Sequence, residues 1–77
     1  MSAGKIDKLV RMANQIGDFF AAQPEAAQGE GVATHLKKFW TPKMIDEILV
    51  RAASAESGLN LTAAQGVARL GEARSAR

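Results

Sequence analysis

The sequence predicts an all-α fold: a small bundle of three to four short helices followed by a disordered C-terminal tail. The chain has 77 residues and no Cys, and 47% of its residues are apolar. Apolar side chains recur at helical spacing in several segments, and no segment alternates with the period of two typical of a β-strand. We therefore expect one helical domain over residues 1–72 and a disordered tail over residues 73–77.

The first predicted helix covers about Lys5–Ala22, where apolar and polar side chains separate onto opposite faces. At 100° per residue the apolar face is about 180° wide, which exceeds the ~100° stripe of a helix that covers one small core. Either other helices flank this helix on two sides, or part of its face meets another chain. Pro24 ends the helix because it has no N–H and biases Gln23 away from helical geometry.

A loop and a second, shorter helix are expected next. The loop runs from Pro24 to Gly31, since Gly29 and Gly31 would interrupt a helix that begins at Pro24. Over Val32–Trp40 the apolar residues again share one face, with two lysines opposite. This spacing predicts the second helix.

Thr41-Pro42 is the strongest local signal in the chain. A Thr side chain caps exposed helical N–H groups, and Pro is favoured at the first helical position, so a third helix begins here. Ser57-Gly58 supplies its stop signal. Trp40 is then expected at the corner between the second and third helices.

The fourth helix is predicted over about Ala63–Glu72. Thr62 and Gln65 match a capping box, in which the two side chains satisfy backbone N–H groups at a helix start. Gly66 weakens this helix by about 1 kcal/mol relative to Ala.

Charge gives little support for nucleic-acid binding. The chain has 10 Lys+Arg against 8 Asp+Glu, and the basic residues form no stripe. One cluster mixes basic and aromatic residues around the predicted corner: His35, Lys37, Lys38, Trp40 and Lys43. The helix that follows carries acidic residues, which suit a DNA groove poorly. A helix–turn–helix DNA binder therefore remains the least favoured alternative.

The residues show no catalytic, cofactor-binding or metal site. His35 is the single His and there is no Cys, so a metal site built from nitrogen and sulfur ligands is not expected. A general base also needs an oriented partner, and none is evident for His35, for which we expect a structural or interface role. The charged N-terminus and the lack of a long apolar run predict a cytoplasmic protein with no membrane contact.

Two blocks of the sequence are distinctive. The first is KLVRMANQI at residues 8–16 with Phe19-Phe20, and the second is HLKKFWTPKM at residues 35–44. In this order and separation they resemble the delta subunit of cytosolic, NAD-dependent formate dehydrogenases that contain molybdenum or tungsten. The similarity extends from Leu9 to Leu70 and is looser from Leu59 onward.

The resemblance implies a small non-catalytic subunit that binds no cofactor itself. In such a complex, the alpha subunit is expected to hold a pterin-bound molybdenum or tungsten and iron–sulfur clusters. The beta and gamma subunits are expected to pass electrons through iron–sulfur clusters and FMN to NAD. The implied partners are the catalytic alpha subunit and the other subunits of the complex.

Two hypotheses follow for the surface of the chain. In the first, the chain docks on the catalytic subunit and stabilises it or aids its assembly. In the second, it self-associates and buries the face of the first helix in a homodimer. The Asn14 and Gln15 amides either bind another chain's backbone or are ordinary exposed amides. The candidate interface residues are Met12, Asn14, Gln15, Phe19, Phe20, His35, Phe39 and Trp40.

Overall fold

Four α-helices and no strand make up residues 4–75, the part of the chain that the computed structural model describes. Helix α1 spans Lys5–Ala21, α2 spans Glu25–Phe39, α3 spans Pro42–Ala52 and α4 spans Leu61–Ser75. The predicted all-α bundle is confirmed, with four helices.

Helix α4 packs against all three other helices, most extensively against α2. Its Ala63 and Val67 side chains are fully buried, together with Val32 and Leu36 of α2 and Ile48 of α3. Helix α1 also packs against α2 and α3. The core therefore lies where all four helices meet, and the last helix closes it.

The prediction of a loop from Pro24 to Gly31 is wrong, because α2 begins at Glu25 and runs through both glycines. A Cβ at Gly31 would overlap the Phe20 ring, and one at Gly29 would lie 3.1 Å from the Arg69 Nε. The glycines thus let neighbouring helices approach closely, and this tertiary packing offsets their low helix propensity.

The turn between α1 and α2 is fixed from the α2 side. The Gln28 side chain donates hydrogen bonds to the Ala21 carbonyl at 3.1 Å and to the Gln23 carbonyl at 2.9 Å. The Ala21 carbonyl belongs to the last turn of α1 and the Gln23 carbonyl lies just beyond it, where backbone acceptors have no helical partner. The side chain therefore holds the antiparallel start of α2 against the end of α1.

The predicted start of α3 is confirmed. The Met44 N–H donates a 3.2 Å hydrogen bond to the Thr41 Oγ1, and Pro42 is the first helical residue. The buried Trp40 lies at the corner between α2 and α3, as expected.

The end of α3 differs from the expectation, because the helix stops at Ala52 and not at Ser57-Gly58. The Ser54 hydroxyl accepts a bond from the Glu56 N–H, and the Ser57 hydroxyl accepts one from the Leu59 N–H. Such local side-chain bonds compete with the helix for backbone groups.

The start of α4 also corrects the prediction. Asn60 caps this helix in place of Thr62, since the Asn60 Oδ1 accepts a 2.8 Å hydrogen bond from the Ala63 N–H. Thr62 lies inside the helix and is buried. The helix continues beyond the predicted end at Glu72 to Ser75, so residues 73–75 of the predicted tail are helical. Residues 76–77 lie outside the described part.

We predict that Thr41→Ala destabilises the fold by about 1 kcal/mol, the usual effect of losing a helix cap. Urea unfolding of the full chain, followed by circular dichroism, measures the change. Thr34→Ala is the matched control because Thr34 is exposed within α2. Equal midpoints for wild type and Thr41→Ala would contradict the capping role.

Candidate functional site

The described residues form an apolar groove of about 780 Å³ on the surface of the bundle. Its walls are the C-terminal halves of α1 and α2, and its end is the corner at Trp40 and the start of α3. The lining residues are Met12, Gln15, Ile16, Phe19, Phe20, His35, Phe39, Trp40 and Met44. We call this surface the apolar groove.

Seven of the eight candidate interface residues line the apolar groove, and Asn14 does not. Sequence reasoning did not place Ile16 and Met44 here. Ile16 is four residues from Met12, so its helical spacing was a usable signal. Met44 lies in the first turn of α3, and the bend at Trp40 brings it to the groove.

The wide apolar face of α1 is divided between the core and the apolar groove. Leu9, Val10 and Ala13 are buried in the core. Met12 and Ile16 are half-buried at the groove, and Phe19 is 66% exposed. The bundle thus covers one side of the apolar face, and the other side forms a wall of the groove.

Two aromatic pairs shape the groove. The Phe19 and Phe20 rings meet edge to face with centroids 5.0 Å apart, and the His35 and Phe39 rings lie 4.7 Å apart at 41°. Phe39 is 70% exposed, although aromatic side chains usually contribute their large area to a core or an interface. A partner that covered Phe19 and Phe39 would remove two large apolar side chains from water.

The Asn14 side chain forms hydrogen bonds within its own chain. Its Nδ2 donates a 2.9 Å hydrogen bond to the Gly58 carbonyl, and its Oδ1 accepts a 2.8 Å bond from the Asn60 N–H. The Asn60 Nδ2 donates in return to the Asn14 carbonyl at 3.1 Å. The amide therefore clamps the α3–α4 loop to α1, whereas Gln15 is exposed at the groove.

The described residues bring together no group of three or more His, Asp or Glu side chains that could hold a metal ion. His35 stacks on Phe39, and no hydrogen bond within residues 4–75 orients its ring. No described helix is both long enough and apolar enough to cross a lipid bilayer.

The basic residues near the corner lie on different surfaces. Lys38 lines an extension of the groove with Phe20 and Glu30. Lys37, its neighbour in sequence, lies on another side of α2, beside Trp40 and α4. The lysines that are adjacent in sequence therefore do not form one continuous basic face.

Comparison with known proteins identifies the family. The family model described as NADH-dependent formate dehydrogenase delta subunit, FdsD, matches residues 8–67. This range contains both distinctive sequence blocks and every residue of the apolar groove. No curated protein and no solved structure gives a significant match. The chain belongs to the delta subunit family of NADH-dependent formate dehydrogenases.

Proposed function

We propose that this chain is a non-catalytic accessory subunit that docks through the apolar groove on the catalytic alpha subunit of a formate dehydrogenase and stabilises the assembled enzyme. The observation that carries the proposal is the exposure of Phe19 and Phe39 beside a groove of about 780 Å³. Contiguous apolar surfaces of this kind mark interaction sites in soluble proteins.

Formate oxidation and NAD reduction belong to other subunits in this proposal. The chain has no Cys to ligate an iron–sulfur cluster, and its described residues gather no metal-binding group. The family resemblance implies that a pterin-bound molybdenum or tungsten, iron–sulfur clusters and FMN are held by those subunits. The family membership supports this division of roles. We also propose that the complex is cytoplasmic.

The physical contribution of the chain is the burial of apolar surface. Covering one exposed Phe side chain is worth roughly 1.5–3 kcal/mol. Phe19 and Phe39 are 66% and 70% exposed, so together they supply about 2–4 kcal/mol, and each 1.4 kcal/mol is a factor of about ten in affinity. Two aromatic anchors beside a polar or charged edge are typical of the centre of a protein interface.

We predict that Phe19→Gln combined with Phe39→Gln weakens association with the other subunits at least 100-fold. Both side chains are mostly exposed, so the isolated chain should keep its fold. The test is co-purification of the tagged full chain with the co-expressed subunits, together with formate oxidation and metal content of the recovered complex.

Val50→Gln combined with Leu61→Gln is the matched control. These side chains are 76% and 75% exposed and lie outside the groove, on α3 and at the start of α4. The control should co-purify like wild type. Equal recovery of both double variants would overturn docking through the groove. A wild-type homodimer that becomes monomeric in the Phe variant, with an unaffected enzyme complex, would establish self-association instead.

A further inference from the structure

The walls of the apolar groove restrict the backbone conformation of its occupant. They are formed by helices, whose backbone N–H and C=O groups are already paired within each helix. Apart from Gln15 and His35, the lining side chains are apolar. An extended peptide would find no edge strand to pair with, whereas a helix satisfies its own backbone hydrogen bonds.

The spacing of the apolar residues along the groove also suits a helix. Met12, Ile16 and Phe19 follow one another along α1 at spacings of four and three residues. A helix laid beside them would present anchors at i, i+3, i+4 and i+7, which is the usual helix-in-groove pattern. Met12 and Met44 add flexible thioether side chains that adapt to varied apolar surfaces.

Charged residues near the edges of the apolar groove indicate which side chains the bound helix carries beside its apolar face. Lys8 and Arg11 are exposed and lie one turn before Met12 and Gln15 on α1. Lys38 lines the groove extension from the α2 side, where Glu30 is the one acidic residue among the lining side chains. We call Lys8, Arg11 and Lys38 the basic rim. Exposed basic side chains thus lie near the apolar surface on both the α1 side and the α2 side of the groove.

We propose that the apolar groove receives an amphipathic helix of another subunit, with Asp and Glu side chains flanking its apolar face. This proposal rests on the proposed docking function and specifies the occupant. Acidic flanks would face the basic rim along both walls, and such complementary charges at an interface edge favour association and fix register.

The same charges disfavour a second copy of this chain as the occupant. A two-fold symmetric dimer brings one patch against an identical patch. Two basic rims would then meet across the interface, and like charges in juxtaposition are unfavourable.

We predict that Lys38→Glu weakens association with the other formate dehydrogenase subunits roughly three- to tenfold at low salt. The difference from wild type should shrink at 0.5 M salt (a Debye length of about 4 Å), because salt screens exposed charges. Co-purification of the tagged full chain over a salt series measures both effects.

Lys37→Glu is the matched control. Both lysines lie in the last turn of α2 and have the same relation to the helix dipole, but Lys37 lies outside the groove and its extension. This variant should bind like wild type. Equal binding by Lys37→Glu and Lys38→Glu would overturn the acidic-helix proposal. If the variant with Phe19→Gln and Phe39→Gln lost binding in the same assay, the proposal of docking through the groove would still be supported.

A crosslinking experiment identifies the occupant in the assembled enzyme. A photoreactive benzoyl-phenylalanine replaces Phe39 in the full chain, and mass spectrometry locates the crosslinked peptide. The expected product is one amphipathic helical segment of another subunit with acidic residues beside its apolar face. A strand, a basic segment, a second copy of this chain or no crosslinked product at all would overturn the proposal.

Discussion

Gly66→Ala is expected to destabilise the fold by about 2 kcal/mol, although Ala is the better helix former. A Cβ at this position would overlap the Cβ and Cγ1 of Val32 and would lie 3.2 Å from the Ala33 backbone nitrogen. Val32 is fully buried and branched at Cβ, so its side chain cannot turn aside. The two helices would have to separate where Gly66 of α4 packs against Val32 of α2.

Gly71→Ala is the matched control in the same helix. A Cβ there would meet only the Leu49 Cδ2, at an ordinary 3.4 Å. Ala should therefore stabilise α4 by roughly 0.5–1 kcal/mol. Thermal unfolding of the full chain separates the two substitutions, since 1 kcal/mol is worth about 4–8 °C in a domain of this size. A melting temperature raised by both variants would contradict the close contact between α2 and α4.

Asn14→Ala is expected to destabilise the chain by about 2 kcal/mol. It removes the hydrogen bonds that the Asn14 side chain makes to the Gly58 carbonyl and the Asn60 N–H. Each bond contributes roughly 0.5–1.5 kcal/mol, and loop groups left without partners add to the loss. Asn60 also caps α4, so release of the clamp loosens the start of the helix that closes the core.

Gln15→Ala provides the matched comparison, because it removes the adjacent amide of the same helix. Gln15 is exposed, so the free energy of unfolding should change by no more than about 0.5 kcal/mol. Urea unfolding of both variants, with hydrogen exchange of the Asn60 and Ala63 amides, tests the clamp. Unchanged exchange in Asn14→Ala would show that the loop does not depend on this side chain.

Local sequence signals were reliable where they did not depend on distant residues. The apolar spacing of α1 and the Thr41-Pro42 start of α3 both act within one helix, and both predictions are confirmed. Two of the errors, the loop at Gly29 and Gly31 and the cap of α4, have a common cause. In the sequence Gly29 and Gly31 indicate a loop, because their packing against α4 and Phe20 is visible only in the fold. Asn60 caps α4 from a position that is held by a hydrogen bond to Asn14, 46 residues away.

The candidate site was predictable to a similar extent. The excess width of the apolar face on α1 pointed to Met12 and Phe19 before any packing was known. Asn14 was singled out with Gln15 as a possible amide contact to another chain, because sequence alone cannot show that the Gly58 loop folds back onto it. Met44 entered the groove through the bend after Trp40, which is a property of the tertiary fold.

The central position of α4 has a consequence for biosynthesis. Val67 and Leu70 complete the core, and both are translated after α1, α2 and α3. A nascent chain that has emerged only as far as α3 still displays the apolar sides of α1 and α2 to solvent. Folding can therefore finish only after α4 has emerged from the ribosome, and until then these surfaces are open to chaperones.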